Sequence, residues 1–444
     1  AMATGGPVTL TATVGGQSGT ASVTVTPAVA NVAVTPPTTT LVSFGETVQL
    51  TATPTDANGI TINGIPITWL SSNLAVATVS ATGLVTAVAN GGPVTFTATA
   101  GSKSGTATVT VAQAVNAVAV TPPATTLASL GATVQLAAAL TDANGNAVAG
   151  QTVTWQSSNA GVATVNGSGL VTAVTNGGPV TFTATAGGKS GTATATVAQV
   201  VNSVVVTPGA TTLASLGATV QLTAAVLDAN GHPVAGQTVA WSSSNGGIAT
   251  IGLTGLVTAM ATGGPVTMTA TVGTKTGTAT VTVAQTVATV GVTPPATTLG
   301  AFGATAQLTA TALDANGIEV VGLPVSWSSA NSLVASVNGT GLVTAVANGG
   351  PVTITATVTG KSGTATVTVA QVVNAVTVTP ATTTLASIGA TVQLTAAATD
   401  ANGNPVAGVA VTFSVLSGGG RVTDALRRSD AQGVVTVGSW VLGT

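Results

Sequence analysis

The sequence has no cysteine and no tyrosine, a single histidine, and charge on only 4% of its residues, with 7 Lys+Arg against 9 Asp+Glu. Without cysteine there are no disulfides, thiolate metal sites or cysteine nucleophiles. So few and so evenly spread charges exclude a basic stripe for nucleic-acid phosphates and a cationic anchor for anionic lipid. Thr, Gly or Ser interrupts every apolar run, so none approaches the ~20 residues of a membrane helix, and no membrane insertion is expected within this segment. No leader is visible at residue 1.

What the chain has instead is a repeat. "DANG" begins at Asp56, Asp142, Asp228, Asp314 and Asp400, a constant step of 86 residues. Trp69, Trp155, Trp241 and Trp327 keep that step, as do Lys103, Lys189, Lys275 and Lys361. The opening "AMATGGPVTLTATV" matches "AMATGGPVTMTATV" at 259–272, so residue 1 falls partway through a module. The expected division is a C-terminal remnant of a module (1–27), four full modules (28–113, 114–199, 200–285, 286–371) and a divergent, truncated last one (372–444).

Inside a module the period is two. In "PVTFTATA" (179–186), Val180, Phe182 and Ala184 fall on one face and Thr181, Thr183 and Thr185 on the other, the alternation of a strand buried on one side. "ATVQLAAAL", "QTVTW", "GLVTAV" and "GTATATV" read the same way. "DANG", "NGGP" and "GGKSG" between them carry the chemistry of tight turns. About seven short strands around one Trp predict an all-β fold of tandem immunoglobulin-like β-sandwiches arranged as an elongated rod. Trp69, Trp155, Trp241, Trp327 and, at the same register in the last module, Phe413 are the expected core plugs between the sheets. Trp241→Ala is expected to cost its module about 3–5 kcal/mol.

"LASLGATVQLAAALTDANGNAVAGQTVTWQSSNAGVATVNGSGLVTAV" resembles the bacterial immunoglobulin-like domain of group 2, over residues 28–371. The "TVQL" strand, the D-x-N-G turn, the "TWQSSN" stretch, "VATV" and "GLVTAV" carry the resemblance. The last module, with Phe413 in place of Trp and a "GSWVLGT" ending, resembles group 1, the invasin/intimin type. The resemblance implies an extracellular or cell-surface scaffold of stalks or adhesive rods and transfers no catalytic residue. Group 2 modules also occur in phage tail proteins.

Candidate sites reduce to turns. Asp142, Asn144 and Asn146 mimic the start of a calcium loop, but each "DANG" supplies one Asp and the next position is Ile60, Asn146, His232, Ile318 or Asn404. An Ile cannot ligate, so a hairpin turn is expected and no metal site. His232 occupies that variable position as a solvated turn residue. "NGGP" at Asn90, Asn176 and Asn348 leads into a strand rather than a helix, so it is a turn and not a phosphate cradle. "NGS" at Asn166 and "NGT" at Asn338 are turns as well. The lysines protect edges and aid solubility, with a ladder of weak Asp–Lys contacts between modules or chains as the alternative. Arg421, Asp424, Arg427, Arg428 and Asp430 form the one charge cluster, and Arg421, Arg427 and Arg428 are the candidate contact surface.

No acid/base pair or cofactor motif can be assembled, so the expectation is a non-enzymatic structural protein that needs no cofactor. Half modules at both ends would expose sheet edges, and little charge opposes lateral packing. Both favour a homo-oligomer in lateral or end-to-end fibre packing. The alternatives are a monomeric adhesin stalk whose host or surface ligand binds outside this segment, and a phage tail module.

Overall fold

A computed structural model describes residues 5–387, 389–438 and 440–442, and among these every regular element is a strand. The fold divides into two compact units, Ala1–Ser203 with Val226–Gly236, and Val204–Ala225 with Gln237–Thr444.

The first unit opens with a hairpin of β1 (Gly5–Val14) and β2 (Gln17–Val25). The first module follows with β3 (Asn31–Thr35), β4 (Thr38–Leu41), β5 (Thr47–Gln49), β6 (Thr51–Thr55), β7 (Ile67–Ser71), β8 (Ala77–Val79), β9 (Leu84–Ala87), β10 (Gly91–Ala100) and β11 (Lys103–Val111). A four-stranded sheet runs β4-β11-β10-β7, with β4 parallel to β11; a three-stranded sheet runs β5-β9-β8, and β3 pairs with β6. The second module repeats the four-stranded order with Ala124–Leu127, Lys189–Val197, Gly177–Ala186 and Thr154–Ser157.

Alternation explains the layering. Along β10, Val94, Phe96, Ala98 and Ala100 are buried, while Thr95, Thr97 and Thr99 face outward beside Thr108, Thr106 and Ser104 of β11. Phe96 is 0% exposed and meets Leu50, Val85 and Val109 in the core of the first module. Phe182 holds that place in the second. β11 passes so close to β3 that a Cβ at Gly105 would lie 2.0 Å from the Val32 carbonyl oxygen, so only glycine fits. Expected as a turn, "NGGP" instead begins a strand: Gly91 and Gly92, at φ 151° and 114°, form a bulge that shifts the β10–β11 register.

In the second unit, Met268 and Ile354 take the position of Phe96 in the third and fourth modules, both 0% exposed. Among its described residues the last module has three small sheets, including Ala375–Thr379 with Thr395–Thr399 and Val434–Thr436, and Ala410–Thr412 with Leu426–Arg428. Ala396, Ala398, Val406, Val435 and Val437 are its buried hydrophobic residues among those described, and Phe413 is half-buried.

The tryptophans do not fill the core centres. Trp69, Trp155 and Trp327 are half-buried and pack against their clusters from the side, and Trp241 is half-buried too. Their indoles lie against the turn glycines Gly83, Gly169, Gly255 and Gly341, and those of Trp69, Trp241 and Trp327 line open grooves. Each sits on an edge strand, as Trp69 does on β7, whereas Phe96 sits on a central one. The cost of losing an indole therefore falls below the expected figure. In denaturant melts, Phe182→Ala should destabilise the second module by about 3–5 kcal/mol and Trp155→Ala by clearly less; the reverse order would place the indole at the centre.

Candidate functional site

The polar chemistry collects where one module meets the next. In the first unit, the loop between β4 and β5 carries Ser43 and Phe44, and the "DANG" turn of the second module reaches it. Asp142 is 2% exposed. Its Oδ1 accepts from the backbone N–H groups of Asn144 (3.0 Å) and Asn146 (2.9 Å), which closes the turn. Its Oδ2 accepts from the Phe44 N–H of the first module (2.9 Å) and from Gln113 Nε2 just past β11 (2.9 Å). Asn144 Nδ2 donates to the Phe44 carbonyl at 2.8 Å, Asn146 Nδ2 to the same oxygen at 3.0 Å, and the Ala143 N–H to Ser43 Oγ at 3.2 Å. One loop residue is thus held by both its N–H and its C=O.

The clamp recurs. Asp228, in the same unit, accepts from the Leu130 N–H (2.9 Å) and Gln199 Nε2 (2.8 Å), while Asn230 Nδ2 donates to the Leu130 carbonyl (2.7 Å). In the second unit, Asp314 accepts from the Leu216 N–H and Gln285 Nε2, and Asp400 from the Phe302 N–H and Gln371 Nε2. Asn316 and Asn402 donate to the Leu216 and Phe302 carbonyls. The four carboxylates are between 1% and 2% exposed.

The linkers are tied down as well. Ala112 and Ala114 donate to the Leu41 and Val42 carbonyls behind them, and Asn116 donates to the Thr141 carbonyl ahead. Val115 is buried against Leu140, Val148 and Ala186. Asn90, Asn176 and Asn348, in the "NGGP" stretches, accept from the backbone N–H of Gln113, Gln199 and Gln371 and so position the joint glutamines.

Burial alone would raise the joint carboxyls, because it disfavours the charged form. The donated hydrogen bonds outweigh it: those of Gln113, Asn146 and Phe44 hold Asp142 well below the usual range, and those of Gln199, His232, Leu130 and Asn230 do so for Asp228. Asp314 is lowered in the same way, and Asp400 is held at about 2. Nitrogen donors converge on each carboxylate where a calcium loop needs converging oxygens. Among the described residues no group of three metal-ligating side chains occurs.

The remaining expected sites disperse. His232 is a half-exposed turn residue with Nδ1 3.7 Å from Asp228 Oδ1. Among the described residues the Asp–Lys ladder does not form, because the joint aspartates are buried while Lys103, Lys189, Lys275 and Lys361 stand exposed on hairpin tips. Of the arginines, Arg427 pairs with Asp424 at 2.7 Å and Arg428 donates to the Gly408 carbonyl at 2.6 Å, both closing their own module's loops. Arg421 is exposed on the strand Gly420–Val422. The reading of "DANG" as a local turn was incomplete: the turn forms, and its Asp is also the joint. The signal was present in the constancy of Asp beside a variable position, and in Gln113, Gln199, Gln285 and Gln371 at the 86-residue step.

Four sandwiches in tandem, each with one four-stranded sheet and a polar joint to the module that follows, define a multi-domain immunoglobulin-like protein. The chain belongs to the bacterial Ig-like domain (group 2) family, whose profile matches residues 28–111, 114–197, 200–283 and 286–369. Ice-binding protein 1 of Shewanella frigidimarina (strain NCIMB 400) is 32% identical over 258 residues, which is 57% of this chain and 29% of that relative. The chain thus spans less than a third of that protein's length. Among solved structures, invasin, a bacterial integrin-binding protein, is 19% identical, with 76% of this chain and 78% of that one covered at a TM-score of 0.30. The S-layer protein rSbsC(31-844) is also 19% identical, with 94% and 65% covered and a TM-score of 0.25. The protein is extracellular or exposed at the cell surface. No helix among the described residues is long and apolar enough to cross a membrane.

Two outcomes follow from the carboxylate chemistry. Adding EDTA or calcium should leave the melting temperature unchanged, since the joint carboxylates are met by nitrogen donors; a calcium-dependent rise would contradict the clamp. The depressed Asp400 contributes stability that is fully present above its unfolded value of about 3.9 and is lost as pH falls through about 2. Calorimetry should therefore give a melting temperature that stays level down to about pH 4 and drops below it. A decline beginning in the neutral range would assign acid sensitivity to other groups.

Proposed function

We propose that this chain is a non-enzymatic spacer of a bacterial surface or extracellular protein. Its modules are clamped end to end so that a binding segment is carried away from its anchorage. The observation that supports this is the buried, donor-saturated aspartate at each of the four joints. Flexible strings of beads have no use for a desolvated carboxylate between neighbours, because burying a charge is costly unless donors hold it on both sides. A stiff spacer does. The ice binding in the name of the matched relative is a candidate activity for the whole protein, with these repeats as the part that presents it.

Small-angle scattering reads how stiffly neighbouring modules are held. Replacing Asp142, Asp228, Asp314 and Asp400 together with Ala should shorten the mean end-to-end distance while each module still melts cooperatively. An unchanged scattering profile in that variant would remove the joints as the source of stiffness.

Self-association of identical chains is the second reading. It is favoured by the uncharged threonine rows on the outer faces of the four-stranded sheets, such as Thr95, Thr97, Thr106 and Thr108. Electron microscopy over a range of concentrations separates the two: ordered filaments support assembly, and single particles at every concentration leave the monomeric spacer.

A further inference from the structure

Every joint turn contains Asn-Gly, the dipeptide most prone to intramolecular deamidation. In that reaction the glycine backbone nitrogen attacks the asparagine Cγ, a C–N bond forms and ammonia leaves. Water then opens the resulting five-membered succinimide at either carbonyl, giving aspartate or isoaspartate. The attack requires the amide carbon to swing onto the following nitrogen.

The closed joint opposes that swing. Asn144 Nδ2 is held by the Phe44 carbonyl at 2.8 Å, Asn230 Nδ2 by Leu130 at 2.7 Å, Asn316 Nδ2 by Leu216 at 2.7 Å and Asn402 Nδ2 by Phe302 at 2.8 Å. Asn58 supplies an internal reference. It sits in the same turn, with its N–H on Asp56 Oδ1 at 2.9 Å and the Gly59 N–H on the Asp56 carbonyl at 3.0 Å. Gly59 has φ 79°, against 83° at Gly145. All five asparagines are exposed, but among the described residues the Asn58 amide nitrogen donates to no neighbouring loop, whereas that of each joint asparagine does.

We propose that Asn144, Asn230, Asn316 and Asn402 are modification sites that make each joint a one-way fuse. The inference rests on the spacer reading. While a joint is closed, its asparagine is protected. When a joint opens, the Asn-Gly bond is free to deamidate, and the product cannot close again. An aspartate at 144 would set a carboxylate oxygen where Nδ2 now donates, facing the Phe44 carbonyl, acceptor against acceptor, beside the buried charge of Asp142. The isoaspartate route adds a methylene to the main chain and destroys the turn that presents Asp142.

The test is peptide mass spectrometry of the intact chain incubated in mildly alkaline buffer. Asn58 should convert about tenfold faster or more than each joint asparagine, the factor set by how seldom a joint opens. In urea the five rates should converge. Equal rates at all five sites in the folded chain would overturn the proposal. A second arm uses Asn144→Asp, with Asn58→Asp as control. Protease cleavage in the linker 112–116 should accelerate in the first and stay at the wild-type rate in the second. If Asp142→Ala opens the linker to protease and Asn144→Asp does not, the fuse fails while the spacer reading stands.

Discussion

A carboxylate removed from water must be met by donors, and here the donors come from two modules at once. Asp142 takes two N–H groups from its own turn and two more from the preceding module and its linker. Neither half can satisfy the charge alone. The interaction therefore fixes the turn, the loop and the glutamine together, and an opened joint leaves a buried or half-solvated charge behind. In a chain with so few charges, four of nine acidic residues are spent this way.

The sandwiches themselves are ordinary by comparison. Alternating Val, Ala, Phe and Thr fill the sheets and leave hydroxyl-bearing rows outside. Close passages such as Gly105 against Val32 let the two sheets approach. The loops then perform the specific work, because a rigid scaffold presents them at one end of each module and the turn of the next meets them there.

The strands and the four tandem family repeats were legible because period-two burial and an 86-residue repeat are both written along the chain. Val180, Phe182 and Ala184 proved buried as their alternation implies. The constant Asp and Gln mark the joint, but what the Asp touches was not legible, since Phe44 and Asp142 lie 98 positions apart. "DANG" satisfies every rule for a turn, so its second role left no gap to notice. The tryptophans misled for a related reason. Size suggested the core centre, but centrality is set by strand order, and the residue facing inward from β10 holds it. "NGGP" fell short similarly: its glycines make a bulge inside a strand, which shares its composition with a turn.

The loop that receives each aspartate is read through its main chain. Phe44, Leu130, Leu216 and Phe302 all offer the same N–H and C=O, and their side chains turn to other uses. Recognition that ignores which side chain occupies that one position makes the units interchangeable. A gene encoding such a chain can gain or lose whole repeats by recombination, and every new neighbour will fit the old one. Length becomes a quantity that selection can adjust in steps of a single module, without redesigning a single contact.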